Sequence, residues 1–136
     1  MNHNANFSGL YCAIVTPLHH GRIDFQRFQT HVQTLAADGC EGLLISGTTG
    51  EGQSFDLAER AELISAAREA NPTLVLLAGT GCASLPETIR TTRQAYEMGA
   101  DGVVLVPPFF FRTVTTTGLL DVVNALKKRG KLIYGY

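Results

Sequence analysis

Residues 46–52 read SGTTGEG, two threonines and a glutamate set among glycines. An apolar run, GLLIS, leads into the stretch, and a helix-like run, SFDLAERAELISAAREA, leads out of it. A turn needs one or two glycines; it does not need adjacent hydroxyls. Glycines let a backbone bend sharply and present its N–H groups, and the following helix brings a positive dipole end. Thr48 and Thr49 add two hydroxyl donors. That combination suits a small carboxylate. The competing reading is a glycine-rich turn whose threonines cap the loop. A phosphate cradle of the P-loop kind would need a lysine followed by Ser or Thr, and none is present.

Two other stretches could carry chemistry. GTGCAS, residues 79–84, is a near miss to the dinucleotide fingerprint G-x-G-x-x-G/A: Ser84 replaces the third small residue, and Asp101, near the spacing of the ribose-binding acid, precedes the fourth strand rather than ending it. PPFFFR, residues 107–112, sets three phenylalanines in a row after a strand-stopping Pro107–Pro108. Three successive rings cannot all enter one core. At least one, with Phe110 the candidate, is expected to line a cleft or meet another subunit; the alternative is packing beneath the loop. His3, His19, His20 and His31 have no metal-ligand spacing with Cys12, Cys40 and Cys82, so no metal is expected. His19–His20 beside Gly21 reads as a solvated turn. The odd, scattered cysteines read as buried free thiols of a reducing, cytoplasmic compartment.

These stretches must be positioned by something regular. Five continuously apolar runs start at Leu10, Gly42, Thr73, Gly102 and Lys131, with separations of 32, 31, 29 and 29 residues. Continuous runs fit strands buried on both faces of a parallel sheet. Helical patterns lie between them. The first starts at Asp24 and puts Phe25, Phe28, Val32 and Leu35 on one face before Gly39. The second starts at Asp56, with Glu59 as its capping-box partner. The third starts at Ser84, with Pro86 and Glu87 in the first turn, and stops at Gly99; the fourth stops at Gly130. The repeating strand–helix unit predicts an α/β fold. It is either an open doubly wound sheet or an arc of a (β/α)₈ TIM barrel, about five strands of eight. Even spacing favours the barrel. Residues 1–136 are read as one incomplete barrel domain that stops after the fifth strand.

With 45% hydrophobic residues and a net charge of −1, the chain has material for a core and no electrostatic case for nucleic acid or a membrane surface. No apolar run approaches the roughly 20 residues of a bilayer span. In either architecture, chemistry gathers where the strands end: Thr16–Pro17, Ser46–Glu51, Gly79–Gly81, Pro107–Arg112 and Tyr134–Tyr136.

At these strand ends the chain resembles the dihydrodipicolinate synthase/N-acetylneuraminate lyase family of Schiff-base-forming, class I aldolase-type enzymes on a (β/α)₈ barrel. GTTGE at 47–51, ER at 59–60, PPFFFR, the closing LIYGY and AIVTP at 13–17 carry the likeness. The resemblance implies a pyruvate-type 2-oxo acid as substrate, no further cofactor and a homo-oligomer in the full-length form. It implies that Thr49 binds the substrate carboxylate, that Thr48 joins a proton relay, and that Tyr134 is the catalytic acid/base at the keto oxygen. Gly47 and Phe110 would contact the substrate.

Two departures are visible. Where dihydrodipicolinate synthases proper carry a relay tyrosine in the loop after the fourth strand, this chain has Phe110. The family's Schiff-base lysine belongs to a sixth strand, whereas the only lysines here are Lys127, Lys128 and Lys131. The expected function is therefore the N-terminal part of a lyase or aldolase whose amine lies elsewhere. The alternatives are a non-catalytic α/β module that binds a carboxylate or nucleotide, and an assembly fragment that pairs through its strand edges.

Overall fold

A computed structural model of the chain describes residues 7–110, 115–127 and 132–134. The five apolar runs become the parallel strands β1 (Tyr11–Ala13), β4 (Gly42–Ile45), β5 (Val75–Gly79), β6 (Gly102–Leu105) and β7 (Leu132–Tyr134). Their order in the sheet is β1-β4-β5-β6-β7, with Tyr11 opposite Gly42, Gly42 opposite Val75, Leu77 opposite Gly102, and Val103 opposite Leu132. Spatial order thus follows chain order. Right-handed crossovers then all fall on one face of the sheet. A doubly wound sheet would reverse its order partway, so the arrangement is a barrel arc.

The crossovers are α1 (Phe25–Ala37), α2 (Leu57–Ala70), α3 (Leu85–Glu97) and α4 (Thr116–Lys127). Asp24 accepts a hydrogen bond from the Arg27 N–H. Ser84 does the same for Glu87, with Pro86 in the first turn. Asp56 and Glu59 form a full capping box, each side chain accepting from the other's backbone N–H at 2.8 and 2.9 Å. Gly39 and Gly99 follow α1 and α3 with φ of 95° and 102°, where a side chain would be strained. Gly130 lies outside the described residues.

Side-chain direction alternates along each strand and separates two environments. Leu43 and Ile45 of β4, Leu76 and Ala78 of β5, and Val103 of β6 join Phe28, Val32, Leu63, Ile64 and Ala67 in a core between sheet and helices. Each large side chain fully buried there contributes about 1.5–3 kcal/mol. Leu105 with Val122 and Leu126 forms a smaller core that seats α4. Leu44 and Val104 point the other way, into the concave face.

One feature was not foreseen. Leu18–His19 (β2) and Arg22–Ile23 (β3) form a small antiparallel hairpin, turned by His20 and Gly21 at φ 49° and 73°. The expected turn is there, but it closes a hairpin. Asp101 lies ahead of β6, at the rim opposite the Gly79–Gly81 loop. There its carboxylate accepts from Arg68 at 2.7 Å and from the Leu76 N–H at 2.8 Å. Arg68 also donates to the carbonyls of Pro72, Leu74 and Gly99. Asp101 is thus a structural anchor, and the dinucleotide reading loses its acid. Cys12 and Cys40 are partly buried, Cys82 is buried, and all three are free thiols. Burial, and then the neighbouring Cys40, raise the pKa of Cys12. Among the described residues no helix is long and apolar enough to cross a membrane, and no group of three or more His, Cys, Asp or Glu could hold a metal.

Candidate active site

The chain leaves β4 at Ile45 and turns at Ser46, which takes a left-handed φ of 56°. Two nested turns follow. The Glu51 N–H donates to the Thr48 carbonyl and the Gly52 N–H to the Gly47 carbonyl, both at 3.1 Å. Glu51, also left-handed at φ 54°, begins the short 3₁₀ turn Gly52–Ser54. Two non-glycine residues with positive φ in one loop cost about 1–3 kcal/mol each, so the surroundings must hold them. Thr16, in the loop after β1, donates its hydroxyl to the Gly50 carbonyl at 2.8 Å. Gln53 reaches across to the Gly81 carbonyl at 2.7 Å. The Ser46 carbonyl sits between Gly52 and Gly79. A Cβ on either would come within 2.0 or 2.4 Å of its oxygen, so both positions require glycine.

This loop walls a cavity of about 330 Å³ at the C-terminal ends of β4, β5 and β6. Its floor is apolar, with Leu44, Val104 and Val106; its polar groups come from Ser46–Thr48 and Glu51–Ser54. A mostly apolar hollow with a few polar groups on one wall is the usual form of a small-molecule site.

The candidate residues fall out unevenly. Gly47 and Thr48 line the cavity. Thr49 is exposed on the same turn and is not part of the lining. The backbone of Tyr134 pairs with Leu105 at the last position of β7, on the same rim; its side chain lies outside the described part, as do Arg112, Gly135 and Tyr136. Phe110 is 77% exposed, whereas its neighbour Phe109 lines the cavity. The FFF run therefore does present a ring to the cleft, that of Phe109, while Phe110 stands exposed beside it, open to the subunit contact that was the other expectation. Arg60 went unassigned beyond its part in the family likeness. It is 5% exposed, directly beneath the loop, and donates to the Gly79 carbonyl. Its signal was available: Arg60 shares a helix face with Leu63, Ile64 and Ala67, where a cation is out of place.

Comparison with known proteins supplies the context. The chain is 36% identical over 120 residues to an uncharacterized DapA-like lyase of Chloroflexus aurantiacus, spanning 87% of this chain and 40% of that protein. It is 38% identical over 106 residues to the 4-hydroxy-tetrahydrodipicolinate synthase of Bdellovibrio bacteriovorus, spanning 77% and 36%. Among solved structures, the dihydrodipicolinate synthase DapA-2 of Bacillus anthracis superposes with a TM-score of 0.87 at 27% identity, over 95% of this chain and 44% of that one. The chloride-inhibited dihydrodipicolinate synthase of Acinetobacter baumannii, solved with pyruvate, gives 0.85 at 30%, over 93% and 44%. The chain thus spans less than half the length of these relatives, and its arc overlays part of their barrels. With residues 6–131 matching the Dihydrodipicolinate synthetase family, the chain belongs to that family.

Proposed function

We propose that the chain is the N-terminal part of a dihydrodipicolinate synthase-like lyase or aldolase, acting in the cytoplasm on a pyruvate-type 2-oxo acid. Residues 1–136 form a single incomplete barrel domain in this reading, and the full-length form is a homo-oligomer. The observation that carries it is the GTTGE loop of a family member walling an apolar cavity at the strand ends. The substrate carboxylate is held by the Gly47–Thr49 turn; the Thr49 hydroxyl, exposed on that turn outside the cavity lining, would swing inward to be its donor. That fixes the keto carbon over the floor of Leu44 and Val104. Tyr134, from the same rim, exchanges a proton with the keto oxygen, and Thr48 passes it on. Phe110, exposed beside the cleft, would meet substrate or another subunit only from its rim and passes no proton, because a phenyl ring has none to give. Dihydrodipicolinate synthesis itself is therefore disfavoured against a related 2-oxo-acid aldolase, lyase or dehydratase.

The covalent step needs an amine as electron sink. The three lysines, Lys127, Lys128 and Lys131, all precede β7 in the chain, whereas the site is built at the C-terminal ends of the strands and in the loops that follow them. Two measurements test the reading. Titration with pyruvate should shift the backbone amide resonances of Gly47, Thr48 and Thr49. Borohydride reduction in the presence of pyruvate should leave the mass of the 136-residue polypeptide unchanged. A stoichiometric adduct on one of its lysines, or no response at residues 47–49, would overturn the assignment.

A further inference from the structure

We infer that the buried guanidinium of Arg60 supplies the charge that makes this cleft prefer an anion over a neutral ligand of the same shape. The inference rests on the 2-oxo-acid reading of the site and adds what that reading lacks, a cation. Among the described residues nothing that lines the cavity is basic, and the ionisable lining group there, Glu51, is a carboxylate.

Arg60 is the buried cation closest beneath the loop. One terminal nitrogen donates to the Gly79 carbonyl and the other to the Cys82 Sγ at 3.5 Å, while Nε is buried without a hydrogen-bond partner. Both acceptors are neutral, and no carboxylate among the described residues lies within ion-pair distance of Arg60. A guanidinium does not shed its proton. Among the described residues this buried positive charge therefore has no counter-charge, normally a costly arrangement.

The geometry shows where the field goes. A second, small cavity of about 10 Å³ lies against Arg60, lined also by Ser46, Gly79 and Thr91. Ser46 is 5% exposed, and its hydroxyl is likewise buried without a partner. The space fits about one water molecule, which would bridge the Ser46 hydroxyl and the Arg60 Nε–H. Ser46 and Gly79 line both cavities, so the wall between them is one residue thick. A Cβ on Gly79 would stand 3.2 Å from the Gly47 nitrogen, the amide beside the ligand position. Arg60 thus lies behind the cradle, shielded from salt, whereas the exposed Glu51 is screened by solvent. A unit charge on the order of 10 Å from a ligand carboxylate, at an effective dielectric of ~20, corresponds to roughly a tenfold preference for the anion.

The test compares pyruvate with pyruvamide, its neutral amide, by amide-resonance titration at Gly47 and Thr48. Wild type, Arg60→Lys and Arg60→Gln are measured in low salt and in about 0.5 M salt. Wild type should favour pyruvate about tenfold and keep most of that preference in high salt. Arg60→Lys should retain it. Arg60→Gln should lose it while binding pyruvamide as wild type does; a purely structural role would weaken both ligands together. An unchanged ratio in Arg60→Gln overturns the inference. If Arg60→Gln does not fold, the wild-type salt series still decides, because a preference that collapses in high salt belongs to surface charge. Equal wild-type binding of both ligands at the cradle overturns this inference alone. Binding of neither overturns it together with the 2-oxo-acid reading.

Discussion

Gly79→Ala isolates the packing that holds the loop in shape. The new methyl carbon would meet the Ser46 carbonyl oxygen at 2.4 Å and its carbon at 2.9 Å. The oxygen contact is about 1 Å short of van der Waals separation. The obstacle is backbone, so no rotamer change relieves it. Ser46 has little freedom to retreat, since Gly52 approaches the same carbonyl closely enough that a Cβ there would lie 2.0 Å away. Overpacking of this kind costs about 1–3 kcal/mol, and a rigid obstacle argues for the upper end. About 3 kcal/mol would be a large share of the roughly 5–15 kcal/mol that holds a domain together. With a urea slope of about 2 kcal/mol/M, the unfolding midpoint should fall by about 1.5 M. Gly39→Ala is the comparison: its Cβ meets nothing within 4 Å, but φ is 95°, so only a backbone cost of about 1–2 kcal/mol applies. Urea unfolding followed by circular dichroism measures both. If Gly79→Ala shifts the midpoint no more than Gly39→Ala, the loop is not held by backbone contact at Ser46, and the account of its glycines is wrong.

Two further outcomes are expected. Asp56→Ala removes one half of the capping box at the start of α2 and should lower stability by about 1 kcal/mol in urea unfolding, with Asp56→Ser recovering most of it. Burial raises the Tyr96 pKa from 10.0 to about 12. The unfolded chain therefore gives up this proton first, and the contribution of Tyr96 is complete below pH 10 and is lost between pH 10 and about 12. Because the ring is only partly buried, the loss should stay near 1 kcal/mol, and Tyr96→Phe should flatten the stability profile in that window alone.

Local signals were legible in the sequence because their physics is local. The caps at Asp24, Asp56 and Ser84 act over three residues, and a single stretch of sequence contains both partners. The strand runs and their near-constant spacing announced parallel strands and crossovers, because apolar length and turn chemistry need no distant partner. The GTTGE loop could be read as a candidate site because its residue types and its family likeness lie in one short stretch. What required tertiary structure was every feature set by groups far apart in the chain. The sheet order that separates a barrel arc from a doubly wound sheet is a relation among strands about 30 residues apart. The left-handed Ser46 depends on Gly79 pressing its carbonyl from the next strand. Sequence order already set Asp101 ahead of its strand, but only the structure shows Arg68, 33 residues earlier, holding it there. Which phenylalanine of the run meets the cleft is a matter of strand-end direction, and a one-residue step separates Phe109 from Phe110. Arg60 shows the division most plainly. Helical periodicity put it on the apolar face, but only the packed structure set its guanidinium behind the loop with neutral acceptors and, among the described residues, no counter-charge, because a charge's environment is made by what the fold brings around it.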